Sequence, residues 1–184
     1  VISTEFELSH LFNEAHHFNR DISTWDTSNV NQMNTLFERA YSFNQDISSW
    51  NTSNVTSMQE TFSNARSFNQ PLDSWNVSNV TLLEDMFNSA VLFNQDLDSW
   101  DTSSVTDMSS LFERAYNFNR DISSWNTSNV QFFHDLFRNA HNFNKDISNW
   151  STSSITTLQY TFYRTYSFNH NLNDWDVSNV NSLY

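Results

Sequence analysis

The chain has 184 residues and a formal net charge of −13, from 21 acidic and 8 basic side chains. A field of that sign opposes binding to nucleic acid and insertion among anionic lipids, and no apolar run reaches the roughly 18 residues of a membrane-spanning helix. The chain has no cysteine, which excludes disulfides and thiol chemistry. Hydrophobic residues still make up 38% of the sequence, enough to form a core.

A repeat of 25 residues runs through the sequence. All seven tryptophans follow this spacing: Trp25, Trp50, Trp75, Trp100, Trp125, Trp150 and Trp175. A fixed period of this length is typical of proteins built from stacked units, each packed on its neighbours. We therefore predict one domain over residues 1–184, with about seven units and a last unit that stops partway, and we place the tryptophans in the core.

The first half of each unit has a helical pattern. In the unit that follows Trp25, apolar residues are spaced 3, 4 and 3 apart: Val30, Met33, Phe37 and Ala40. This spacing puts them on one face of a helix. The preceding Thr27, Ser28 and Asn29 carry oxygens that can cap a helix N-terminus. We predict a helix from about Asn29 to Tyr41, with Gln32 and its equivalents facing solvent.

The second half of each unit is short and contains β-branched Ile47 among Asn, Asp and Ser. We predict a strand near Asp46 to Ser49 that pairs in parallel with its equivalents in neighbouring units. The predicted fold class is an α/β repeat solenoid with one short strand and one helix per unit. Ala40, Phe43, Ile47 and Trp50 also fit helical spacing, so a two-helix solenoid is the alternative.

Asparagine recurs directly after a phenylalanine that we assign to the core. Polar groups next to a core need hydrogen-bond partners, so these side chains should form a structural ladder that bonds backbone groups of adjacent units. The members are Asn19, Asn44, Asn69, Asn94, Asn119, Asn144 and Asn169. The chain contains no glycine, and we expect Asn and Asp to take the positive φ angles of the turns.

The motif at residues 43–58, Phe-Asn-Gln-Asp-Ile-Ser-Ser-Trp-Asn-Thr-Ser-Asn-Val-Thr-Ser-Met, is followed by Phe62 and Ala65. This pattern resembles the repeat of BspA-like leucine-rich-repeat surface proteins, from about Leu11 to Leu183. The resemblance implies a leucine-rich-repeat solenoid in an extracellular location or on a particle surface, with adhesion or recognition as its role. Pro71 and Asn171 depart from the pattern by replacing its aspartate.

An acidic column is the first candidate for ligand chemistry: Asp21, Asp46, Asp96, Asp121 and Asp146. Stacked carboxylates must be solvated, bonded to backbone amides, or bridged by Ca²⁺, which prefers oxygen ligands. The repeated Thr, Ser and Asn at 27–29 could likewise present hydroxyls to a glycan, although helix capping explains the same residues. We predict no cofactor, and a Ca²⁺- or glycan-binding module is one alternative function.

The preferred function is non-enzymatic protein–protein interaction, adhesion or recognition, because a chain without glycine has neither a phosphate-binding loop nor a nucleophile elbow. The candidate contact residues are aromatics at outward helix positions: Tyr116, Phe132, Tyr160, Tyr163 and Tyr166. No C-terminal cap is visible, so end-to-end self-assembly into a filament or coat is the other alternative. The expected partners are a protein, a second copy or a glycan.

Overall fold

The computed structural model describes residues 6–181, which form a stack of 25-residue coils. Hydrogen bonds between residues 24 to 28 positions apart join each coil to the next. The two strands, β1 (Phe6–Glu7) and β2 (Val30–Gln32), pair in parallel. Single parallel bridges continue this pairing through the stack: Gln32–Ser57, Ser57–Leu82, Leu82–Asp107, Asp107–Phe132 and Phe132–Thr157.

Residues 6–181 contain no helix, so the α/β solenoid, its two-helix alternative and the leucine-rich-repeat type of solenoid are all wrong. The segment expected to be helical is a series of tight turns. In these turns, every second N–H group donates its hydrogen bond to the next coil instead of to its own. The Met33, Thr35, Phe37 and Arg39 N–H groups donate to the next coil, to the carbonyls of Ser57, Gln59, Thr61 and Ser63. Between them, Leu36, Glu38 and Ala40 donate to carbonyls three residues earlier. Such turns return side chains to the core with the same 3 and 4 spacing as a helix.

The predicted strand near Asp46 to Ser49 is also wrong, because the pairing lies at Val30–Gln32 instead. Gln32 and its equivalents, which we expected on a solvated helix face, are the residues that pair. The Asp46 carboxylate accepts the Ser48 N–H at 2.9 Å. This local turn uses a backbone N–H that a strand would direct to its neighbour.

Two positions in each coil have positive φ, equivalent to Thr35 and Arg39. The full set is His10, Glu14, Thr35, Arg39, Glu60, Asn64, Asp85, Ser89, Ser110, Arg114, Asp135, Asn139, Tyr160 and Arg164. Most are neither Asn nor Asp, so our expectation for these turns holds for only a few of them. The left-handed conformation costs an L-residue roughly 1–2 kcal/mol. The bonds between coils therefore impose this conformation on residue types that do not favour it.

The apolar columns, meaning sets of equivalent residues 25 apart, form the core, and their rings stack along the coil axis. The Phe37 ring centroid lies 5.5 Å from that of Phe62 and 4.0 Å from that of Phe43 in its own coil. The Trp50 and Trp75 centroids are 6.4 Å apart. Each tryptophan from Trp50 onward also donates its indole N–H to a carbonyl 28 residues earlier, at 2.9–3.2 Å. From Trp50 to Trp150 the column therefore both fills the core and joins the coils, whereas Trp25, which we also placed in the core, is 39% exposed.

The threonine column does not cap helices. The Thr102 hydroxyl donates to the Asn126 carbonyl of the next coil at 3.0 Å, and Thr27, Thr52 and Thr127 make the equivalent bond. Valine occupies the same column at the buried Val77. The Thr152 hydroxyl is buried and has no hydrogen-bond partner within residues 6–181. One column thus contains bonded hydroxyls, an unbonded hydroxyl and an isosteric methyl group.

This column provides a matched stability test. We expect Thr102→Val to lower the free energy of unfolding by about 1 kcal/mol, because the Asn126 carbonyl loses its donor. Thr152→Val should leave stability unchanged or raise it, since the lost hydroxyl had no partner. Urea unfolding of both variants measures the difference. Equal losses in the two variants would show that the hydroxyl of Thr102 contributes nothing specific.

Candidate functional site

The side chains at some positions of the coil differ widely between copies, whereas those at other positions largely repeat. We define the variable face as the positions equivalent to 32, 34, 35, 38, 39 and 41, and the regular face as those equivalent to 46, 48, 49 and 53. The position of residue 35, for example, is occupied by Thr35, Glu60, Asp85, Ser110, Asp135 and Tyr160. The position of Ser53 is serine in every copy from Ser28 to Ser178.

The aspartates of the regular face close local turns. Asp21, Asp46, Asp121 and Asp146 each accept the N–H of the residue two positions later, at 2.9 Å. These backbone hydrogen bonds lower the pKa of all four carboxyl groups. Asp96 instead lies 3.3 Å from the Arg120 guanidinium.

The Asp column does not assemble a cation site. Among residues 6–181, no three His, Asp or Glu side chains come together in a way that could hold a metal ion. Shallow grooves of about 380 and 260 Å³ do lie beside the pairs Asp21/Asp46 and Asp121/Asp146. Their other lining groups are mostly serine hydroxyls and amides, and each of these carboxylates already accepts a backbone N–H. These residues build turns, and we propose no Ca²⁺ site from them.

The asparagine column lies at the joints between coils. The Asn19 side-chain oxygen accepts the Asn44 N–H, and the same bond of 2.9–3.0 Å recurs up to Asn169. At Asn44 and Asn69 the same oxygen also accepts from a glutamine side chain of the next coil, Gln70 and Gln95. Each of these amide oxygens accepts a main-chain N–H, as a main-chain carbonyl oxygen does in a β-sheet.

Aromatic rings and arginines meet at the C-terminal end of the variable face. Tyr160 and Tyr163 are 43% and 44% exposed, and their ring centroids are 5.8 Å apart in an edge-on arrangement. The Arg138 guanidinium lies 5.5 Å from the Tyr160 ring and 5.8 Å from the Tyr163 ring. Arg164 lies 5.1 Å from the Tyr163 ring. We call these four residues the Tyr–Arg cluster.

The other three predicted aromatics lie elsewhere on this face. Tyr116 stacks on His141 at 4.7 Å, and His141 packs against Tyr166 at 5.0 Å. Tyr166 is the most exposed of the five, at 72%. Phe132 belongs to the paired column and is 36% exposed. The structure thus separates the predicted set into two contact groups and one paired residue.

The sequence prediction omitted Arg138, Arg164 and His141. Arg138 and Tyr163 are 25 residues apart, and His141 is 25 residues from both Tyr116 and Tyr166. Residues with this separation are neighbours in adjacent coils. Comparing the sequence down its columns, instead of along a presumed helix, would have identified these contacts.

The middle of the variable face carries a group of carboxylates, of which Asp85 is the most perturbed. The pKa of Asp85 is raised to about 6, mainly by burial and to a smaller extent by Glu84, Glu60 and Glu113. The Asn88 amide donates to this carboxylate at 2.6 Å and opposes the shift. Burial, followed by Glu38 and Glu84, also raises the pKa of Glu60. This region therefore contains charge that destabilises the fold at neutral pH.

An apolar depression of about 480 Å³ lies against the last described coil. Core-column residues line most of it: Leu158, Thr161, Phe162, Leu172 and Trp175. It exposes the stacked core itself, and Tyr160 and Tyr163 of the Tyr–Arg cluster complete its lining. Residues 6–181 also contain no helix with the length and apolar character needed to span a bilayer.

Replacing Asp85 should stabilise the protein in a pH-dependent way. The folded chain binds a proton at Asp85 more readily than the unfolded chain, whose pKa is near 3.8. The ionic penalty is therefore fully present above about pH 6 and disappears as the pH falls toward 3.8. We expect Asp85→Asn to raise the free energy of unfolding at pH 7 by on the order of 1 kcal/mol, after allowance for solvent screening.

Chemical unfolding at several pH values measures this effect, with Asp98→Asn as the control, because Asp98 is exposed and its side chain makes no hydrogen bond or ion pair within residues 6–181. The control should change stability by less than about 0.5 kcal/mol at each pH. A gain for Asp85→Asn that is constant with pH, or a loss at pH 7, would contradict the assignment.

Two overlapping regions, residues 3–100 and 83–184, match a family described as "Mycoplasma protein of unknown function, DUF285". No curated protein and no solved structure gives a significant match. The match does not confirm the narrower assignment to BspA-like leucine-rich-repeat proteins. Because the two matches together span almost the whole sequence, the chain belongs to this Mycoplasma family of unknown function, DUF285.

Proposed function

We propose that this chain is a non-enzymatic recognition module that binds a protein partner through its variable face. The observation that supports this proposal is that the side chains of the variable face differ widely between copies, whereas those of the regular face largely repeat. Stability alone does not require such varied side chains, because serine occupies the position of Ser53 in every copy from Ser28 to Ser178. Such variation on a constant backbone is expected where a scaffold presents different side chains to a partner.

The backbone geometry favours such a role. Bonds to neighbouring coils hold the positions of Thr35 and Arg39, so the side chains there are displayed at a fixed spacing. A rigid surface loses little conformational entropy when it binds, which favours affinity. The same backbone accepts Thr, Glu, Asp and Ser at one position without a change in its bonding.

Within this face, the Tyr–Arg cluster has the composition most typical of a protein contact site. Tyrosine and arginine are enriched among the residues that contribute most to binding energy at protein interfaces. Exposed rings next to guanidinium groups can pack against apolar and acidic partner groups together. We therefore infer that the C-terminal end of the face makes the central contacts.

We further propose that the module acts outside the cell or on a particle surface. The resemblance of its repeat to BspA-like surface proteins supports this location. The net charge of −13 fits a partner that is neither nucleic acid nor an anionic membrane.

The test uses the full chain immobilised and exposed to solubilised surface proteins, with each retained protein then purified and titrated. The double variant Tyr160→Ser with Tyr163→Ser should weaken binding by about 30-fold or more, the usual effect of losing a hot spot. A control variant on the regular face, Ser49→Ala with Ser124→Ala, should bind as the original chain does. The variable face would be excluded as the contact surface if only the control variant lost binding, or if both variants bound as the original chain does.

A further inference from the structure

A row of stacked planar side chains runs along the edge of the variable face and is interrupted once. On one side of the interruption, His16 stacks on Tyr41 at 4.6 Å, and the Arg66 guanidinium lies 4.8 Å from the Tyr41 ring. The other side is formed by the stacked Tyr116, His141 and Tyr166 described above. Val91 occupies the position between them. It is the only member of the row from His16 to Tyr166 without a planar group.

The interruption is a depression of about 420 Å³. Three consecutive coils line it, each with two residues: Asn64, Arg66, Ser89, Val91, Arg114 and Tyr116. The middle coil contributes the two short side chains, Ser89 and Val91. Adjacent members of the row are 4.6–5.0 Å apart elsewhere, so Arg66 and Tyr116 have the space of one missing planar group between them. We call this depression the Val91 slot.

The slot is also a local concentration of positive charge in an acidic chain. Two of the chain's 8 basic residues, Arg66 and Arg114, line it. Arg66 is exposed and forms no ion pair with any of residues 6–181. Arg114 lies 3.6 Å from the Glu113 carboxylate and its side chain is 49% exposed. Guanidinium groups bind carboxylates with two parallel hydrogen bonds, so the slot favours a ligand that carries a carboxylate.

The remaining groups indicate what the carboxylate is attached to. The Tyr116 ring forms one wall, and an aromatic face packs well against the C–H face of a pyranose ring. The Asn64 and Ser89 side chains on the lining donate to Ser63 and Asn88, and their oxygens can accept hydrogen bonds from ring hydroxyls. A ligand with a single negative charge also suits a chain of net charge −13 better than a polyanion does. We propose that the Val91 slot binds one acidic sugar residue, a hexuronic acid, with its ring on Tyr116 and its carboxylate near Arg66 and Arg114.

This site contains no member of the Tyr–Arg cluster, so it can be tested separately from the protein partner. Titration of the isotopically labelled full chain with D-glucuronic acid, followed by NMR, should shift the amides of residues 64–66, 89–91 and 114–116, with a dissociation constant on the order of 1 mM. D-glucose tests the carboxylate and should bind at least about tenfold more weakly. Inorganic phosphate tests charge alone and should not displace glucuronic acid at equal concentration.

Val91→Tyr gives the sharpest variant, because it fills the slot with the residue found at 41, 116 and 166 in the same column. It should keep the thermal stability of the original chain and lose the glucuronate shifts. Arg66→Gln should weaken binding by about tenfold, whereas Tyr160→Ser should leave it unchanged. Shifts that persist in Val91→Tyr would overturn the proposal. So would equal binding of glucose, displacement by phosphate, or the absence of shifts at tens of millimolar ligand.

Discussion

Hydrogen bonds from N–H groups of one coil to carbonyls of the next are the constraint on which this structure depends. They recur at the positions of Met33, Thr35, Phe37 and Arg39 in each coil that has a neighbour after it. To aim every second N–H along the stack, the backbone must reverse at short intervals, which places two residues per coil at positive φ. A helix is excluded by the same requirement, because its N–H groups bond within one segment.

The side-chain ladders follow from the register set by these bonds. With an offset of one unit between coils, each residue meets its own equivalents, so phenylalanine stacks on phenylalanine and the Asn44 oxygen meets the Asn69 N–H. Ring stacking, the indole bond of Trp100 and the hydroxyl bond of Thr102 all use this single offset. A change in repeat length within one unit would disrupt all of them together, which explains why the spacing of 25 is kept throughout.

The sequence was sufficient to predict the repeat and the core columns, because both depend only on which side chains recur. It was insufficient for the backbone path. The 3 and 4 spacing of Val30, Met33, Phe37 and Ala40 fits a helix and a series of turns equally well. Thr35 and Tyr160 carry no local signal for a left-handed conformation, which the neighbouring coil imposes.

The same distinction applies to the candidate site. The exposed aromatics could be found from composition and position along a presumed helix, but their partners were missed, since Arg138 and His141 become neighbours of tyrosines through the stack. The Val91 slot is visible only as a gap in a column whose other members are planar. Function in this chain thus depends on departures from the repeat, whereas the repeated residues maintain the scaffold.

The most direct test of this account is NMR detection of scalar couplings across main-chain hydrogen bonds in a central coil. The account predicts a coupling from the amide nitrogen of Phe87 to the carbonyl carbon of Leu111, since this N–H donates across the coil boundary at 3.0 Å. A coupling from Phe87 to the carbonyl of Leu83, four residues earlier, would reveal an α-helix and contradict the stacked-coil structure.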